Sequence, residues 1–120
     1  MALNIVGGTV SPSTPLIIDP KTGTTYTFAL SDANNELITA NNAAAQTYTI
    51  PLNSSVAFPI GCQINVIQIG AGQVTFVGTS GVTVSSTGAT SAQPKTRAQF
   101  SAATLVKVGT DTWYVIGDIA

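Results

Sequence analysis

Histidine is absent from this chain, and charge is scarce. Only 8% of its 120 residues are Asp, Glu, Lys or Arg, against roughly 25% in an average soluble domain. Without histidine, the commonest general base and the usual zinc ligand are both missing. The single cysteine, Cys62, excludes an intrachain disulfide. It lies in the apolar stretch 60–64, which predicts a small buried thiol, and a nucleophilic role would lack its histidine partner. No apolar run approaches the ~18 residues of a membrane helix. The N-terminus carries no basic leader before a long apolar stretch, so no signal peptide is expected and synthesis and assembly are placed in a cytoplasm. A net charge of −1 gives no electrostatic grip on nucleic acid or an anionic membrane.

What the chain does have is apolar content, 44% of residues, set among Thr, Ser, Asn, Gln and Gly. A domain of this size normally stays soluble by a mixed charged surface. The shortage predicts that partners cover much of this one. The length allows one domain with a core that needs neither metal nor disulfide.

The periodic segments have period two, the spacing of strands. Residues 24–30 and 46–50 alternate Thr or Gln with Tyr, Phe, Leu and Ile, which puts hydroxyls outside and aromatics in a core. Residues 63–66 alternate, and 67–69 resume one residue out of phase, the mark of a β-bulge. Gly70-Ala71-Gly72 then predicts a hairpin over 63–78. The triplet is unlike a phosphate loop, because a strand and no helix follows it. Residues 81–85 read as a short strand. Residues 104–108 and 112–116 flank Gly109-Thr110-Asp111 as a second hairpin, with Trp113 and Tyr114 on opposite faces. Asn34 and Asn35 lead into a strand, and Ile60 starts another after Pro59. These elements predict an all-β fold: a single-domain β-sandwich or jelly-roll-like barrel.

Two segments fit such a body poorly. Residues 1–20 hold three prolines and predict an extended N-terminal arm before a body at 21–120. The arm either crosses a neighbouring subunit or forms an edge strand on its own sheet. Leu3, Ile5, Val6, Pro12 and Pro15 are its candidate partner contacts. Residues 85–99 are polar and long, predicting a loop excursion from the body. It is a solvated loop or a partner-contacting one, and Lys95 and Arg97 are its candidate contacts.

Catalysis finds little material. Of the acids Asp19, Asp32, Glu36, Asp111 and Asp118, most adjoin turn-formers. Asp32 and Glu36 are spaced to approach each other, and one such pair is a weak basis for acid–base chemistry. No catalytic residue, cofactor or metal is expected, and a calcium site of scattered carboxylates is open but unsupported at this stage.

From about Thr24 onward the chain resembles a β-rich module of tailed-bacteriophage virion proteins. The likeness lies in the order of five phrases: Asn41–Pro51, Val56–Val66, Gln68–Phe76, Gly81–Val84 and Ser101–Asp118. The resemblance implies a structural virion protein, usually trimeric, found in fibres or as short capsid cement (decoration) chains. The absence of a long repetitive shaft favours the cement form. On that reading the chain is a homotrimer on the outside of a capsid, bound to the major capsid protein. It would have no enzymatic activity and no nucleic-acid or membrane partner. The rival is a fibre or tail-tip protein recognising host cell-surface polysaccharide.

Overall fold

The computed structural model of the chain describes residues 5–6, 9–10, 15–87 and 92–120. It is all-β, with eleven strands and one 3₁₀ turn, Leu30–Ala33, among the described residues. The strands are β1 (Ile5–Val6), β2 (Thr9–Val10), β3 (Ile17–Lys21), β4 (Thr25–Thr27), β5 (Glu36–Ala40) and β6 (Gln46–Ile50). They continue as β7 (Gln63–Gln68), β8 (Val74–Gly78), β9 (Thr83–Ser85), β10 (Ala102–Gly109) and β11 (Thr112–Gly117). A six-stranded sheet has the order β3-β5-β7-β10-β11-β9, and a three-stranded sheet the order β4-β6-β8. Among the described residues, strands β1 and β2 pair with each other alone.

Six consecutive strands alternate between these two sheets. Strands β3, β5 and β7 pair in parallel in one, and β4, β6 and β8 in parallel in the other. The chain therefore winds as a coil of three rungs. Parallel neighbours need a crossover, and here each crossover contains a strand of the opposite sheet. Inward-facing residues stack rung upon rung. Tyr26, Tyr48 and Phe76 share one register row, with ring centroids 5.5 and 6.5 Å apart. Phe28 packs its edge or face against all three. Ile38, Ile50, Ile64, Val66 and Leu105 are fully buried in the same core, and the antiparallel β10-β11 hairpin closes it with Trp113 and Val115.

The hairpin expected over 63–78 does not form: β7 and β8 lie in different sheets. Gly70-Ala71-Gly72 turns an arch from one sheet to the other, stacked on the arch at 41–45. Gly72 N–H donates to Asn42 O at 2.8 Å, and Ile69 N–H to Ala40 O at 2.9 Å. A Cβ on Gly72 would lie 1.8 Å from Ala44 O. Glycine is required there by the neighbouring rung, because a side chain would occupy the space of its backbone.

The predicted bulge is absent as well. Strand β7 keeps strict alternation, so Gln68 points inward where an apolar residue was expected. Its carboxamide is satisfied there: Nε2 donates to Gly70 O at 3.0 Å, and Oε1 accepts from the Thr96 hydroxyl. Ile60 is 66% exposed and precedes the strand, which starts at Gln63.

The second hairpin forms as read, with a register shift between Lys107 and Gly109. Of the residues 1–20 expected as an arm, 17–20 belong instead to β3, the edge strand of the large sheet. The expected excursion at 85–99 is laid on the body over 94–97. Thr96 N–H donates to Val74 O at 2.9 Å and Phe76 N–H to Pro94 O at 2.8 Å, with Thr96 fully buried.

Candidate functional site

All nine charged residues lie within the described regions, and none takes an outward position of a named strand. Four gather at the first-rung end of the coil. Asp19 and Lys21 take the inward positions of β3, in register with Ile38 and Ala40 of the next rung. Glu36 opens β5, and Asp32 sits in the 3₁₀ turn, 1% exposed. One carboxylate oxygen from each of Asp19, Asp32 and Glu36 lies within 4.8 Å of the others. The Lys21 ammonium is 3.3 Å from Asp19 Oδ1 and 4.4 Å from the centroid of the Tyr26 ring.

Asp32 holds the end together. Its Oδ2 accepts the Tyr26 hydroxyl at 2.6 Å and the Ala29 N–H at 2.8 Å. Asp32 Oδ1 and Glu36 Oε1 are buried with no hydrogen-bond partner. Burial first, and then Asp19 and Asp32, push the Glu36 carboxyl up to about 7. Burial and the bonded Asp32 likewise raise the Tyr26 phenol. The sequence had paired Asp32 with Glu36; it missed Asp19, which the parallel register of β3 on β5 brings to them.

The other charges are engaged elsewhere. Lys107 is buried in the core, and its Nζ donates to Asn53 Oδ1 at 2.6 Å and Phe58 O at 2.7 Å. Asp111 accepts the Asn53 N–H at 2.7 Å. Arg97 grips Asp118 with two bonds, 2.7 and 2.8 Å, and Ser101 Oγ donates to the same carboxylate. The Arg97 guanidinium and then Ser101 hold the Asp118 carboxyl below the usual range. Lys95 is half-buried, bridged by its backbone to Thr75.

The outward positions of the strands in both sheets are uncharged, with Lys95 beside Thr75 at the edge of the small sheet. Strands β4, β6 and β8 present Thr25, Thr27, Thr47, Thr49, Thr75 and Val77. The large sheet presents Ile18, Leu37, Ile67, Val106, Tyr114 and Ile116 among neutral polar residues. Ile18, Tyr114 and Ile116 are each at least half exposed. Tyr114, as read, lies opposite the buried Trp113. With Val115 and Ile116 it lines a shallow cavity of about 240 Å³ against Ser85, Ser86 and Thr87.

Of the candidate contacts, Leu3 and Pro12 lie outside the described residues. Ile5 and Val6 form β1, in register with Val10 and Thr9. Pro15 is exposed, and its carbonyl accepts from Asn35 Nδ2 at 2.8 Å. Arg97 is exposed but occupied by Asp118. Cys62 is half-buried against the core, its thiol pushed up chiefly by burial, in keeping with an inert role. No family model matches the chain, and no characterised protein matches it in sequence.

Proposed function

We propose that this chain is a bacteriophage capsid cement protein, a homotrimer that binds the outer capsid surface and stabilises the shell between capsomers. The observation that carries the reading is where the charges go. Four of nine collect at one end of the coil, Lys107 is buried, and Arg97 and Asp118 neutralise each other. The outer face of the large sheet is left without charge and bears exposed Ile18, Tyr114 and Ile116. Parallel strands are commonly covered on both faces, and exposed apolar patches mark interfaces. An uncharged face suits a permanent contact, because no ion has to be desolvated. Three linked copies turn modest capsid contacts into strong attachment. Two facing sheets around one core support the sandwich form of the fold, whereas their parallel pairing gives the jelly roll no support. The segment before β3 remains our candidate for strand addition to a neighbour.

The fibre or tail-tip reading has one observation of its own, the shallow apolar cavity beside the half-exposed Tyr114 ring, a surface on which a sugar ring can stack. Immunogold electron microscopy of source virions separates the two. Label over the head supports the cement role, and label confined to the tail tip overturns it in favour of receptor binding. Sedimentation of the pure chain tests the interface: Tyr114→Lys should dissociate the trimer, and an unchanged assembly would remove this face from it.

A further inference from the structure

We infer that Asp19, Asp32 and Glu36 form a calcium site that closes the first-rung end of the coil. Two separate observations point there. The first is geometric. Calcium–oxygen bonds of 2.3–2.6 Å place two ligand oxygens up to about 5 Å apart, and the three carboxylates meet within 4.8 Å. Magnesium, at 2.0–2.1 Å, needs a tighter cluster. The second is the pair of orphaned oxygens. Asp32 is 1% exposed, yet its Oδ1 has no partner, and Glu36 Oε1 is buried in the same state. A buried carboxylate oxygen without a donor is costly. A cation bonded to both oxygens would satisfy them together and would also balance the carboxylate charge.

The charge count agrees. Three carboxylates face one ammonium, that of Lys21, which leaves two negative charges for a divalent ion. The site also sits where a coil needs help. Rungs two and three bury Ile38, Ala40 and Val66, but the matching first-rung positions are Asp19 and Lys21. An end of this kind must be capped. A bound ion would tie the edge strand β3 to β5 and to the 3₁₀ turn, and so hold the root of the N-terminal segment. The inference rests on this cluster alone and does not depend on the capsid reading.

The full chain, freed of metal with EDTA, is titrated with calcium chloride at pH 8 by calorimetry and by thermal melting. One ion per chain is expected, half-saturating at roughly 10⁻⁴–10⁻³ M as befits a site with few protein ligands. The Tm should rise by about 5 °C at 10 mM calcium. Glu36→Gln should abolish both signals. If that variant does not fold, Asp19→Asn on the edge strand serves instead. Terbium gives an independent reading: Tyr26, bonded to Asp32, should sensitise its luminescence, and calcium should displace it. Absence of calcium heat and of a Tm shift in the wild type overturns the site. So does an equal Tm rise in the variants or in sodium chloride of matched ionic strength, which would mark surface screening alone.

Discussion

Replacing Gly72 by alanine tests the stacked-arch architecture directly. The new Cβ would stand 1.8 Å from Ala44 O, 2.5 Å from Ala44 C and 2.6 Å from Asn42 O. All three are backbone atoms and cannot rotate away, so the two rungs must part. The contacts at risk are Gly72 N–H to Asn42 O, Gln46 N–H to Gln73 O and Gln46 Nε2 to Gly72 O, at 2.8, 2.9 and 3.0 Å. Each is worth about 1 kcal/mol net, and overpacking adds roughly 1–3. The expected cost is about 4–6 kcal/mol, a large share of the roughly 5–15 kcal/mol that holds a domain folded. Gly23→Ala is the control, since its nearest non-adjacent atom is 3.5 Å away. It should be neutral, or stabilise by a few tenths through the unfolded chain. Urea unfolding read by the buried Trp113, the only tryptophan, measures both variants. In an antiparallel hairpin, both glycines would be solvent-facing turn residues with similar small costs. A Gly72→Ala loss below about 1 kcal/mol would refute the stacking.

Other side chains give sharper contrasts. Tyr48 is fully buried and its hydroxyl has no partner, so Tyr48→Phe should leave urea stability unchanged or raise it by about 1 kcal/mol. Tyr26→Phe removes the hydroxyl bond to the buried Asp32 side chain and should cost about 1–3 kcal/mol in the same assay. Lys107→Met leaves the buried Phe58 O without its donor and releases the half-buried Asn53 Oδ1, for an expected loss of about 1–3 kcal/mol. Because the Glu36 carboxyl is raised to about 7 in the fold, its contribution is fully present below the ordinary carboxylate range. It is lost as pH rises through 7. Metal-free wild type should therefore be less stable at pH 8 than at pH 5 relative to Glu36→Gln. Parallel Tm–pH curves for the two proteins would remove Glu36 as the cause.

Much of the local structure could be read from residue order alone. Alternation in 24–30 and 46–50 correctly put Tyr26, Phe28, Tyr48 and Ile50 inward and the threonines outward, but Leu30, expected on the same face, opens the 3₁₀ turn and is half exposed. Turn chemistry at 109–111 correctly joined β10 to β11. The shortage of charge is itself a property of the sequence, as is the absence of histidine.

Which strands pair was a different matter. Gly70-Ala71-Gly72 is equally good chemistry for a hairpin turn and for an arch, and the choice depends on residues 28 positions away. The rungs are also unequal in length. Thr25 to Thr47 is 22 residues and Thr47 to Thr75 is 28, so the coil leaves no fixed repeat in the sequence. Gln68 looked like a slip in phase because its buried partners, Thr96 and Gly70 O, are supplied by the folded chain. The acidic end has the same origin. Asp19 and Glu36 are 17 positions apart, and only the parallel register of β3 on β5 brings them together. Side-chain direction follows from the two-residue period of a single strand, so sequence alone determined which residues of this chain are inside. The meeting of three carboxylates and the stacking of two arches depend on contacts between rungs, and those only the tertiary structure decided.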